Sequence, residues 1–335
     1  IVMRDGQLLV TEVTAGTGGG TTQYTLAGVD DQVADLAWSP SGEFIAYTSA
    51  AHGEPRLFVV YAVGAGTPLD LGAGSNPVWS PDSAQLAFER DGNLWLAPAA
   101  GGPARQLTLQ ANRARGRPAF TPDGRAQLVA ETSRDFMGAQ GNTSFKLKSL
   151  ALDGSGSLAP LPLAQTFEGG RLPYDLRYSP AGDLIAFTTS YHVNACASGG
   201  ALYVQAADGS GERELVSPTL AALSAPGAEV YHLAYSYAWH PAGAGVAVSA
   251  AVRDCANFAG ALLGAQASVL GLDGAERLVI PGLLLNLSYD RSGQFIAAAR
   301  YEDWQSGAGR VHVYNAGSGQ LALDLGPGSL PQFQP

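Results

Sequence analysis

The sequence is poor in lysine, cysteine, methionine and charge. Only two of its 19 basic residues are lysines, Lys146 and Lys148, and its only cysteines are Cys196 and Cys255. Charged residues make up 14% of the chain and leave a formal net charge of −10. Phosphate binding depends on dense Lys and Arg, so this balance argues against a nucleic-acid partner. The scarcity of lysine itself reads as the bias of a GC-rich genome. No apolar run approaches the roughly 18–20 residues of a membrane helix, so the visible chain is not expected to insert into a membrane. It opens on Ile1 with no signal peptide in view, which reads as a processed or trimmed product. Catalytic signatures are missing as well. There is no G-x-S-x-G elbow, no H-E-x-x-H and no calcium loop. The five histidines (His52, His192, His232, His240, His312) are scattered. The sequence therefore leads us to expect no catalytic residue, no metal and no cofactor.

What is abundant is glycine, with 43 residues, and proline, with 20, in a chain that is 46% hydrophobic. That mixture suits a turn-rich all-β protein and excludes a disordered one. At 335 residues the chain exceeds the ~250–300 that one compact core supports, so it holds two domains or a repeat in which each unit needs only its neighbours.

The repeat is visible. An aromatic residue, a Ser or similar, Pro, a small or acidic residue and Gly recur at Trp38-Ser39-Pro40-Ser41-Gly42, Trp79-Ser80-Pro81-Asp82-Ser83 and Phe120-Thr121-Pro122-Asp123-Gly124. Looser copies follow at Tyr178-Ser179-Pro180-Ala181-Gly182, Trp239-His240-Pro241-Ala242-Gly243 and Tyr289-Asp290-Arg291-Ser292-Gly293. The aromatics are spaced by 41, 41, 58, 61 and 50 residues, periods of a propeller blade or solenoid unit. Pro presets φ for a tight turn, Ser or Asp accepts a turn hydrogen bond, and Gly supplies the left-handed residue that closes a hairpin. Eight residues past the aromatic stands Ala in five copies (Ala46, Ala87, Ala186, Ala247, Ala297), where blades are expected to crowd. With a third strand such as Asn93-Leu94-Trp95-Leu96 and a weaker fourth, each unit reads as a four-stranded blade. The Trp-Ser-Pro turns at 38–40 and 79–81, with Arg90-Asp91-Gly92, resemble the TolB-type propeller repeats, relatives of WD repeats. The resemblance covers almost the whole chain and implies a fold, not an activity.

The ends complete each other. Residues 1–10 align with 87–96, so the chain starts inside a second strand. Residues 328–335 align with 74–81, so it stops just after a first strand. The expected architecture is all-β: a single closed propeller domain over 1–335 with seven four-stranded blades, six or eight blades being the alternatives. Six whole blades begin near 35, 76, 117, 175, 236 and 286, and a composite blade joins 1–28 with 329–335. Closure removes exposed sheet edges.

Cys196 and Cys255 fall in equivalent loops of neighbouring blades, so we expect a disulfide and an oxidising location: extracellular, cell surface or periplasm. Long loops at 132–143, 190–200, 252–265, 164–174 and 217–233 gather on one face, which suits a protein partner or copies of the chain itself. The residue three before each aromatic is expected to line the channel mouth: Asp35, Asn76, Arg117, Asp175, Ser236, Asn286 and, at the seam, Leu330. Arg113 and Arg115 add a small basic loop beside Arg117, suited to a carboxylate or phosphate. The leading functional expectation is a non-enzymatic extracellular scaffold, binding a partner or self-associating into a surface layer or filament. Two alternatives stand beside it. One is a propeller hydrolase or lactonase using the channel-mouth residues, which requires a metal or converging carboxylates near Asp35 and Asp175. The other is a sensor domain of a membrane-anchored protein.

Overall fold

The computed structural model describes the chain except residues 5–6, 14–20, 27–32, 52, 64–66, 109–118, 133–144, 154, 156–157, 161–171, 194–196, 224–229, 255–260, 303–308 and 335. Its strands form small antiparallel sheets, each a meander in chain order, arranged as a propeller. The innermost strands of six sheets are Val33–Trp38, Ser75–Trp79, Ala119–Phe120, Leu172–Tyr178, Val230–Trp239 and Leu283–Tyr289. One short helix, Pro218–Ala221, precedes the fifth of them.

The recurring turn works as its chemistry requires. The side-chain oxygen of Ser39, Ser80, Thr121, Ser179 or Asp290 accepts the backbone N–H five residues on, at 2.8–3.1 Å. Gly42, Gly124, Gly182, Gly243 and Gly293 take positive φ at the turn's end, where a Cβ would be strained. The alanine that follows is buried in every copy: Ala46, Ala87, Ala186 and Ala247 are wholly inaccessible and Ala297 nearly so. Small side chains there let successive sheets approach closely.

The blade count needs a correction. Six sheets have four strands or more, whereas the seventh, Val2–Arg4, Gln7–Val13 and Thr21–Thr25, has three. Its inner place is taken by the C-terminal segment. Met3 and Ser329 exchange N–H···O bonds of 2.9 and 2.8 Å, and Gln332 donates its N–H to Ile1 at 3.0 Å. That segment does not become a regular strand. Leu330 sits at φ +49° and Pro331 has no N–H, so the ladder is broken between its two points of pairing. Side chains fasten the seam on both flanks. The Gln332 amide donates to Leu36 O (2.8 Å), the Gln334 amide to Gly42 O (2.9 Å), and Phe333 N–H to Ser288 Oγ (3.0 Å). Ile1, Met3, Leu8 and Leu26 share one apolar cluster with Leu36, Ile45 and Tyr47 of the next sheet.

Two neighbouring sheets are taller than the rest. Leu184–Val193, Val230–Trp239 and Gly245–Asp254 each run ten residues and Ala261–Gly271 runs eleven. A short strand, Ala197–Gly199, pairs with the first of these, and Gly200 bridges to Leu233 of the next sheet. Cys196 and Cys255 lie outside the described residues, as do Arg113, Arg115 and Arg117, so neither the expected disulfide nor the basic loop is placed.

Candidate functional site: the central channel

All inner strands run in the same sense, from loop to aromatic. Residues at the same offset therefore form rings, and three positions along a strand separate rings by about 10 Å. One cavity of about 980 Å³ occupies the centre. Asp35, Asn76, Asp175, Ser236, Asn286 and Leu330 all line it.

A backbone feature explains much of that ring. Sheet register breaks between Ser75 and Val78, Tyr174 and Arg177, and Leu285 and Ser288. Within those breaks Asn76, Asp175 and Asn286 adopt φ of +54°, +49° and +56°. Asn and Asp tolerate the left-handed region because their short polar side chains bond locally. Their recurrence is therefore required by the fold before any ligand is considered. Leu330 adopts the same φ without that advantage.

Sequence reasoning missed the charged centre. Arg177, one residue before the aromatic Tyr178, points into the cavity. Its Nε and Nη2 donate to the two Asp175 oxygens at 3.0 and 2.7 Å, and Nη1 donates to Tyr237 O at 3.1 Å. Its guanidinium lies over the Tyr237 ring, 5.0 Å from the centroid. Burial works against this charge, but Asp175, Tyr237 and Asp35 together hold the guanidinium pKa above its ordinary value. Asp35, 140 residues from Asp175 in sequence, lines the same cavity as this pair. The single proton of the Tyr237 hydroxyl is shared between the carbonyls of Asp175 and Ala186, the latter at 2.8 Å, which holds the break from behind. The signal was in the alternation: residues one and three before the aromatic share a face, and only Arg177 puts a charge at the nearer position.

The other lining groups set the balance. Asn76 donates to Glu89 Oε2 at 3.2 Å. Asp35, Glu89, Asp175 and Asp290 contribute four carboxylates, and Arg177 and Arg291 two guanidinia. Tyr235, 40% exposed, offers a ring face at the polar mouth. At the opposite end Trp38, Tyr178, Trp239, Tyr289 and Phe333 form an aromatic ring.

No family model and no curated protein matches the chain. Solved structures do. An oligogalacturonate lyase in complex with manganese superposes with a TM-score of 0.60 at 14% identity, covering 94% of this chain and 84% of that one. An oligogalacturonate lyase from Vibrio parahaemolyticus gives 0.61 at 13% identity, with 95% and 85% covered. TolB from Acinetobacter baumannii gives 0.53 at 15% identity, with 90% of this chain and 65% of that one. These likenesses overturn the expectation of a non-enzymatic scaffold as the leading reading, because two of the solved structures that share the fold are lyases. Among the described residues no three His, Cys, Asp or Glu side chains gather as metal ligands. Those residues do not fit a manganese site. At these identities the likeness speaks for architecture: the chain is folded as a TolB-like β-propeller.

Proposed function

We propose that the polar mouth of the channel is the active site of a carbohydrate-cleaving enzyme, and that its substrate is a neutral or amine-bearing saccharide. The observation that carries this reading is that Asp35, Asp175 and Arg177 line one large cavity, with Asp175 bonded to Arg177. Paired carboxylates are what glycoside cleavage uses. Asp175, gripped at both oxygens by Arg177, places its carboxyl group where positive charge develops on the sugar ring. Asp35 takes a proton from the attacking water and passes it to the leaving oxygen, which balances the hydrolysis. Tyr235 supplies a face for ring stacking. The likeness to two oligogalacturonate lyases supports saccharide chemistry in this architecture. Among the described residues of the polar mouth, Asp35, Glu89 and Asp175 face Arg177, which Asp175 already occupies, and this balance favours a substrate without negative charge. A location outside the cytoplasm is part of the same reading, supported by the likeness to TolB.

The test is turnover of cello-, chitosan and galacturonan oligosaccharides, followed by new reducing ends and by ultraviolet absorbance of unsaturated products. The expected result is hydrolysis of a neutral or amino oligosaccharide, with Asp35→Asn lowering kcat about 10²–10⁴-fold at little-changed KM. No turnover and no calorimetric binding on any of the three would overturn the proposal. So would a preference for galacturonan.

A further inference from the structure

A second cavity, of about 360 Å³, adjoins the central one, walled by the inner strands Val33–Trp38, Ser75–Trp79, Ala119–Phe120 and Leu172–Tyr178 and the turns that follow two of them. Pro40, Pro77, Val78, Trp79, Pro81 and Phe120 belong to it alone, whereas Trp38, Arg177 and Tyr178 line both cavities. The two spaces therefore meet beside the Asp175–Arg177 pair. Pro40 and Pro81 are exposed and Val78 is partly so, which opens the smaller space to solvent.

Their linings differ in kind. The central cavity carries Asp35, Asn76, Asp175, Ser236 and Asn286. Among the described residues of the smaller one there is no Asp, Glu, Asn, Gln, Ser or Thr, and Arg177 alone is charged. The Nε and both Nη atoms of that arginine already donate to Asp175 and Tyr237, and the Trp79 indole already donates to Ala37 O at 3.0 Å. A sugar carries a hydroxyl on almost every ring carbon, and each one that leaves water unpaired is penalised. Such walls suit a flat apolar group that lies against aromatic rings and proline.

We propose that the smaller cavity holds the leaving group of the substrate, and that this group is an apolar aromatic alcohol rather than a second sugar. This assignment rests on the reading of the polar mouth as a glycoside-cleaving site. With the sugar between Asp35 and Asp175, the bond to the leaving oxygen falls near Arg177, which lines both spaces. Hydrolysis breaks the bond between the anomeric carbon and that oxygen. Water gives its hydroxyl to the sugar and its proton, through Asp35, to the alcohol, which departs neutral. The leaving group of an oligosaccharide stays in the central cavity, so both kinds of substrate are cleaved and differ in rate.

The test compares benzyl β-glucoside with cellobiose, and benzyl β-glucosaminide with the disaccharide of glucosamine. Benzyl alcohol is a weaker acid than a sugar hydroxyl and leaves no more easily, so a preference for the benzyl glycoside reports binding. The expected ratio of kcat/KM, benzyl glycoside to disaccharide, is about tenfold or more. Val78→Phe, which fills the cavity and leaves Asp35, Asp175 and Arg177 in place, is expected to bring that ratio down to about one. A variant that only disturbs the fold lowers both rates and keeps the ratio. Pro81→Ala, at the exposed rim, is a milder second variant, expected to lower the ratio about threefold. A ratio of one or less in the parent chain, or one that neither variant moves, overturns the assignment and leaves the catalytic reading standing. Turnover of none of the four substrates overturns both.

Discussion

The two ends of the channel are built from the same strands, three residues apart, yet they obey different rules. At the polar end the residue type is chosen by the backbone: Asn76, Asp175 and Asn286 occupy left-handed positions that most side chains avoid. At the aromatic end it is chosen by packing, where Trp79 and Trp239 tie one sheet to the next through an indole N–H. Repetition in either ring is thus an architectural requirement. What is particular to this chain lies where a ring departs from its own rule. At the polar end the departure is Arg177, a charge where other sheets have Ala37, Val78, Ala238 or Ser288. At the aromatic end it is the seam, where among the described residues Trp38 has no indole bond like those of Trp79 and Trp239.

This contrast can be broken most severely at the seam. Removing residues 329–335 deletes five bonds from the segment's backbone to Ile1, Met3 and Ser288 and the side-chain bonds to Leu36 and Gly42. At ~1 kcal/mol each, urea unfolding should show a loss on the order of 5 kcal/mol; a loss below about 1 would mean the segment is not what closes the ring. At the polar end, Arg177→Ala leaves Asp175 without its bidentate partner and removes the cation over Tyr237. The expected cost is about 2–3 kcal/mol, with Arg177→Lys restoring less than half because an ammonium cannot reproduce the fork. Equal stability of the Ala and Lys variants would remove the geometric argument. Between the rings, Trp79→Phe should cost ~1 kcal/mol more than Trp38→Phe, since only the former breaks a hydrogen bond. Identical losses would erase the distinction between seam and interior.

The smallest effect per residue concerns acid. Asp82, Asp123 and Asp208 are held below the usual carboxylate range, chiefly by Ser80, Thr121 and Ser210 hydroxyls, and Asp273 chiefly by the Ala275 N–H. A depressed folded-state pKa contributes stability that is present above the unfolded value and lost as pH falls through the folded one. Melting temperature should therefore decline as pH drops below the ordinary aspartate range. Asp123→Asn should flatten that decline slightly, and a melting temperature independent of pH there would contradict the turn geometry.

Much of the fold could be read from the sequence because its turns are explicit: Pro, Ser or Asp, and Gly have separate backbone duties, and Ala46 and its counterparts are small where sheets crowd. The channel ring was legible for the same reason, since a fixed offset from an aromatic fixes a face. Arg177 was not, because the offset was read once rather than followed in steps of two. The three-stranded seam sheet escaped because Leu330 carries no mark of its left-handed backbone, and only Pro331 hinted that a regular ladder could not form there.

The pairing of Ile1 with Gln332 has a further consequence, one of topology rather than of stability. Two residues 331 positions apart are hydrogen-bonded neighbours, so as far as the sheets are concerned the polypeptide is a circle. The break in that circle is a matter of where the ribbon was cut. If the ends were joined by a short linker and the chain reopened at the exposed turn of Gly101 and Gly102, every sheet would keep its strands and its order. The latch would then lie between outer strands, and the channel would be walled throughout by uninterrupted chain.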